Sequence, residues 1–142
     1  MTHTRDYSHL LDCSCNLLRS SARLITQAYE THLKPAGITP PQFTILAALA
    51  NTGPLPLSDL AQALALERTG LSRNLQVLER KTWVQSGAGE DSRQRLVSLT
   101  DEGRAQLHLA MPLWQSAQDE IADLLGAAQL DDLKSTLGAL TR

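Results

Sequence analysis

The sequence predicts a mainly α-helical single domain in which two short helices and a charged hairpin sit between longer N- and C-terminal helices. Three observations carry this expectation. The 142 residues suit one core, and 42% of them are apolar, yet there is one Phe beside two Trp and two Tyr. Such a core is built from Leu and Ala, which favours helices. Apolar residues recur at helical spacing through most of the chain, and the period changes once, near residues 83–99, where strand-like runs flank a glycine-rich stretch.

From Leu10 to about Leu33, the series Leu10, Leu17, Leu24 and Leu11, Leu18, Ile25 repeats every seven residues, which predicts a long first helix ending before Pro35-Ala36-Gly37. Thr39-Pro40-Pro41-Gln42 opens a second, to about Ala50: Thr39 caps, Pro40 fits the first helical position and Gln42 completes a capping box. Asn51-Thr52-Gly53-Pro54 breaks the chain. A short third helix, about Ser58 to Ala65, keeps Leu57, Leu60, Ala61 and Leu64 on one face, and a fourth, Glu67 to Lys81, aligns Leu71, Leu75 and Leu78. Two short helices joined by a tight turn form a helix-turn-helix.

Trp83-Val84-Gln85-Ser86 and Arg95-Leu96-Val97-Ser98-Leu99 read as strands around a loop of glycines and charges, a hairpin that forms a wing. Thr100 caps a fifth helix whose first turn holds Asp101 and Glu102, where acids suit the helix dipole. It runs to about Gly126, with a kink expected at Pro112. Leu130, Leu133, Leu137 and Leu140 mark a last helix. The expected architecture is a winged helix-turn-helix lobe over about residues 52–100. Longer helices flank it over about 6–34 and 101–142, the segments to which the resemblance given below assigns dimerisation.

Charge distribution says more than its sum of −2. Residues 1–66 are neutral, 67–104 carry +1 and 105–142 carry −3, so the basic excess lies on the helix-turn-helix and hairpin. Met1 to Tyr7 is polar, without an apolar run of signal-peptide length, and no stretch reaches bilayer-spanning length, which predicts a soluble, cytoplasmic protein with no membrane partner. Cys13 and Cys15 make no disulfide framework. No Cys-His or Ser-His-Asp grouping supports an enzyme, and no cofactor is expected.

The fourth helix has two distinct faces. At 100° per residue Thr69, Ser72, Arg73, Gln76 and Arg80 cluster opposite the leucines, with Arg68 at the helix start. Arg bonds guanine bidentately, Gln pairs with adenine, and Ser or Thr bonds base edges or phosphates, so this face suits a DNA major groove; an ordinary solvated face is the competing reading. The hairpin adds Arg93 and Arg95 where a neighbouring minor groove would lie, and narrow minor grooves concentrate negative potential that attracts Arg. A winged-helix module that binds only protein would lack these arginines.

The stretches LSDLAQALALERTGLSRNLQVLERKTWV and GEDSRQRLVSLTDEGRAQL resemble the MarR family of winged-helix regulators, and the resemblance runs along nearly the whole chain. It implies that Arg93 enters the minor groove with Asp91 orienting a nearby arginine, and that Ser72 and Arg73 contact DNA from the recognition helix. It further implies a homodimer formed by the first and last helices, a pseudo-palindromic duplex as partner, and an effector pocket between the first two helices and the lobe. The expected function is a sequence-specific transcriptional repressor relieved by a small aromatic or other organic effector. Two departures stand out. Lys81-Thr82 precede Trp83 where the family usually carries a left-handed Gly followed by an apolar residue, which predicts a strained or differently shaped helix exit, and Glu67 stands where Asp or Ser caps better, which predicts a looser start to the fourth helix.

Cys13 and Cys15 leave three readings open: small packing residues, redox sensors, or soft-metal ligands near His9. On a continuous helix they would point about 200° apart and could not bridge each other without unwinding. His3, His9, His32 and His108 show no zinc-site spacing. Trp83 and Trp114 are expected in the core or an interface. For Tyr29 and Phe43 core packing is preferred over a pocket lining.

Overall fold

The computed structural model describes residues 5–91 and 93–141; His3 lies outside them. Nine regular elements follow in order: α1 Ser14–Leu33, α2 Pro40–Thr52, β1 Leu55–Pro56, α3 Leu57–Ala63, α4 Arg68–Arg80, β2 Val84–Ala88, β3 Arg95–Leu99, α5 Asp101–Leu125 and α6 Ala127–Gly138. Single 3-10 turns precede and follow α1, at Ser8–Leu11 and Lys34–Ala36. The mainly helical, winged arrangement expected from the sequence is present.

The expected capping signals operate as written. Thr39 Oγ1 accepts from Gln42 N at 3.4 Å while Gln42 Oε1 accepts from Thr39 N at 3.2 Å, so two otherwise orphan N–H groups are satisfied at the start of α2. At α5, Thr100 Oγ1 accepts from Gly103 N at 2.9 Å. α5 then continues through Pro112 without a break.

The first helix differs from its expectation. It starts at Ser14 rather than near Leu10, because Cys13 is its cap in an extended conformation (φ −113, ψ 113), and the preceding 3-10 turn is set by Ser8 N donating to Asp6 Oδ1. The seven-residue leucine stripe reports side-chain spacing, and it continues across this backbone break. Cys13 therefore does not share a helix face with Cys15, and the expected 200° separation does not apply.

Three strands form a sheet in the order β1-β3-β2, all antiparallel, with Val84 opposite Leu99 and Ala88 opposite Arg95. The sequence reading missed β1, which is two residues long and therefore has no alternation to detect; Pro56 is tolerated there because β1 is an edge strand. β2 begins one residue later than expected because Trp83 N is used by the end of α4, donating to Leu78 O at 2.9 Å.

The core lies where α2, α3, α4, the sheet and the middle of α5 meet. Ile45, Leu46, Leu49, Leu60, Leu71 and Leu78 are fully buried there, with Val84 and Val97 supplied by the sheet. Each such side chain contributes about 1.5–3 kcal/mol on burial. α1 is different: of its twenty residues only Leu33 is buried, while Leu17, Leu18 and Leu24 stay exposed.

Candidate nucleic-acid interface

The candidate recognition face is assembled by anchoring one side of α4. Leu71, Leu75 and Leu78 sink into the core, which turns Arg68, Thr69, Arg73, Gln76 and Arg80 to the exposed side, with Ser72 half-buried beside them. Glu67 caps α4 with extended backbone but makes no side-chain cap bond, in line with its poor capping chemistry. Asn74 Nδ2 donates back to Gly70 O at 3.1 Å. Among the described residues the one close contact between a basic side chain and a carboxylate is His32 Nε2 with Glu120 Oε2, far from this face in the chain. Among the described residues Arg68, Arg73 and Arg80 thus have no carboxylate partner within salt-bridge distance.

The wing is held to α4 by a contact that sequence reasoning missed: Ser86 Oγ donates to Glu79 Oε1, joining the end of the recognition helix to β2. Nothing in the spacing of two polar residues seven apart signals it. At the wing tip the Asp91 carboxylate accepts from the Arg93 backbone N at 3.2 Å, Gln94 N donates to Asp91 O, and Gly89 N donates to Gln94 O. Asp91 thus shapes the turn that carries Arg93 through its backbone, a local Asx-type arrangement. Arg93 lies at the exposed tip, whereas Arg95 is the first residue of β3, one step down the hairpin and also exposed.

Behind the lobe, α2 and α5 enclose an open cleft of about 420 Å³. Phe43 and Trp114 stack on its wall with ring centroids 5.7 Å apart and planes 14° from parallel. Asn51, Arg104 and His108 bring polar groups to the same cleft. Phe43 is both a core residue and a cleft wall, so the choice posed for it from sequence does not arise; Trp114 also lines the cleft. Trp83 is packed against the core, with Lys81 Nζ 4.6 Å from its ring centroid.

A model of the MarR family matches residues 36–94, the stretch from the α1–α2 corner to the wing tip. The regulator MosR of Mycobacterium tuberculosis, solved in complex with DNA, is 36% identical, with 92% of this chain and 94% of that chain covered at a TM-score of 0.83. The chain belongs to the MarR family.

The transcriptional repressor CouR is also similar to this MarR-family chain. Bound to a 23-mer DNA duplex it is 25% identical at a TM-score of 0.86, covering 97% and 99% of the two chains. Bound to p-coumaroyl-CoA, it covers 96% and 97% at a TM-score of 0.84. Among curated proteins, the uncharacterised regulator YwoH of Bacillus subtilis is 35% identical over 85 residues, and the match spans 60% of this chain and 62% of YwoH. The curated match therefore covers somewhat less than two thirds of that relative.

Two other features of this MarR-family chain lie outside the lobe. Cys13 and Cys15 are both free and exposed, at the very start of α1. His9 is exposed in the preceding turn, and among the described residues no group of three or more His, Cys, Asp or Glu could hold a metal ion. Tyr29 on α1 donates its hydroxyl to Gln118 Oε1 on α5, and burial pushes its pKa up from the ordinary phenol value. Among the described residues no helix is long and apolar enough to cross a membrane.

Proposed function

We propose that the protein is a homodimeric transcriptional repressor that reads a pseudo-palindromic duplex in the cytoplasm and releases it when a small organic effector fills the α2–α5 cleft. The observation that carries this reading is the recognition helix: three buried leucines fix α4, and its opposite face offers Arg68, Thr69, Arg73, Gln76 and Arg80 without competing carboxylates. In a two-fold dimer two such helices meet successive major grooves about one turn apart, and Arg93 at each wing tip reaches the flanking minor groove. The exposed leucines of α1 are the surface for that pairing.

The cleft suits a flat aromatic ligand, stacked on Phe43 and Trp114, with an acidic or carbonyl group turned to Arg104, His108 or Asn51. CouR, whose structures include one with DNA and one with p-coumaroyl-CoA, is a precedent for both partners in one protein. The experiment that tests the reading is selection of bound sequences from random duplex DNA, followed by titration of the recovered site with aromatic carboxylates. A two-fold site with half-sites about 10 bp apart is expected. Recovery of no preferred sequence defeats it.

A second reading is favoured by one observation: Cys13 is not helical, and both thiols are exposed where α1 begins. In that reading a hydroperoxide takes two electrons from the thiol pair, giving the Cys13–Cys15 disulfide, water and the corresponding alcohol. Peroxide should then weaken DNA binding by the wild type and leave the Cys13→Ser, Cys15→Ser double variant unaffected. Equal responses reject the thiol reading and leave the cleft as the effector site.

A further inference from the structure

The two residues that follow the recognition helix are where the lobe is fastened to the rest of the molecule. Thr82 sits at φ +63, a left-handed conformation in which a β-branched residue is a true outlier. Its N–H donates to Glu79 O and the Trp83 N–H donates to Leu78 O, both at 2.9 Å, which is the hydrogen-bond pattern of a Schellman end with Thr in the place glycine normally takes. Something must hold Thr82 there. The Thr82 hydroxyl donates to Glu102 Oε2 in the first turn of α5, and the Thr100 hydroxyl donates to Thr82 O at 2.6 Å. Thr100 N also donates to Trp83 O at 3.1 Å. Gly103 lies so close that an added Cβ would stand 2.0 Å from Trp83 O, so only glycine lets α5 approach the helix exit this far.

Lys81 ties the same exit to a second element. Its Nζ donates to Gly37 O at 2.8 Å, in the corner between α1 and α2, while lying over the Trp83 ring. That corner is held from the other side by Gln106 of α5, whose amide donates to Ala36 O. Three parts of the chain thus close on one another: the α4 exit, the α1–α2 corner and the first two turns of α5. Those same turns of α5 supply Arg104 to the cleft, and His108 follows them directly.

We infer that Lys81 and Thr82 are positioning residues for DNA recognition, setting the angle of α4 against the α1 and α5 arms and thereby the distance between the two recognition helices of a dimer. They act through the junction and do not lie on the DNA-facing side of α4. The inference rests on the proposed function, because it needs a dimeric DNA reader. Its consequence is a sharp requirement for half-site spacing. Each inserted base pair moves one half-site by about 3.4 Å and about 34° around the duplex, which a rigid junction cannot follow.

The test uses the full-length protein and the site recovered by selection, with the half-sites at their native spacing and with one or two base pairs inserted or removed. The Lys81→Ala, Glu102→Ala double variant removes two ties without touching the left-handed residue. Wild-type protein should lose much of the roughly 10²–10⁴-fold advantage of two-site binding when the spacing is wrong, and the double variant should recover at least about tenfold of that loss. Affinity for an isolated half-site should be unchanged, which a merely destabilised lobe would not preserve. Thr82→Asn, whose side chain tolerates the left-handed region and can still reach Glu102, should keep the wild-type spacing penalty. Equal spacing penalties in wild type and a folded double variant overturn the inference alone. If the double variant does not fold, the single variant Gln106→Ala, which frees the α1–α2 corner from α5, must relax the spacing penalty or the inference falls. Absence of any bound duplex for the wild type removes the proposed function and this inference together.

Discussion

The lobe and the arms of this molecule treat their leucines differently. In the lobe, Leu60, Leu71 and Leu78 are wholly buried within one chain, and the wing is paired along β2 and β3. In the arms Leu33 and Leu107 are buried in the same way, but other leucines are exposed: Leu17 at 66%, Leu24 at 67% and Leu124 at 77%. Equal hydrophobicity thus ends in opposite environments, with Leu17, Leu18 and Leu24 exposed on α1. The lobe is finished by its own fold, whereas the exposed leucines of the arms are the surface that the proposed dimer would cover.

The largest effect should come from breaking that second copy away. Leu17→Asp with Leu24→Asp places charges on the exposed stripe and should give a monomer at micromolar concentration by light scattering. Operator affinity should fall by roughly 10²–10⁴-fold as two-site binding is lost. A variant that stays dimeric and binds as before would place the pairing surface elsewhere. Next in size is Leu71→Ala, which empties a fully buried site in the lobe and should cost about 2–5 kcal/mol of stability. Its loss should not depend on protein concentration, while melting of the wild-type dimer should, since mass action stabilises only what is completed by association. Thermal melts over a hundredfold range of concentration read both.

A smaller effect separates two arginines within the lobe itself. Arg73→Ala should cost about 1–3 kcal/mol of binding if it reads a base, with preference relaxed at one position of the site. Arg93→Ala should weaken binding most on A/T-rich flanks, where the minor groove is narrow, and least on G/C-rich ones. Binding isotherms on operators with altered flanks check both. Equal affinity of Arg93→Ala and wild type on every flank would reduce the wing to a solvated hairpin.

Legibility in the sequence follows the range of the interactions involved. Local signals were readable: the Thr39–Gln42 capping box, the Thr100 cap, the Leu71, Leu75 and Leu78 face and the start and end of β3 all depend on residues within a turn or two of one another. The exposed face of α4 was readable for the same reason. What escaped depends on contacts between distant parts of the chain. Ser86 meets Glu79 only after the wing folds back, and Trp114 meets Phe43 only when α5 crosses α2. β1 is too short to show a period, and Cys13 lies where a leucine stripe continues although the helix beneath it does not. The strained exit at Thr82 was an intermediate case: the missing glycine was visible, the ties that hold the strain were not.

The smallest expected effect lies at the other end of the recognition helix, in the tight turn itself. Ala65 stands at φ +50, and Leu66 N donates to Ala61 O at 3.0 Å while Ala65 N donates to Gln62 O at 3.2 Å, so α3 also ends in a Schellman pattern without glycine. Two effects of Ala65→Gly oppose each other. Relief of the left-handed strain should stabilise the fold by about 1–2 kcal/mol. The added freedom of glycine in the unfolded chain should cost about 0.4–1 kcal/mol. Strain relief is the larger, so a net gain of about 0.5 kcal/mol is expected in denaturant unfolding, with an unchanged slope. Ala65 is exposed and makes no tie to α5 of the kind that holds Thr82, so its relief should leave half-site spacing untouched. A loss of stability in Ala65→Gly would mean that the helix-turn-helix turn is not strained, and that left-handed residues at the two ends of α4 differ in energy as well as in their partners.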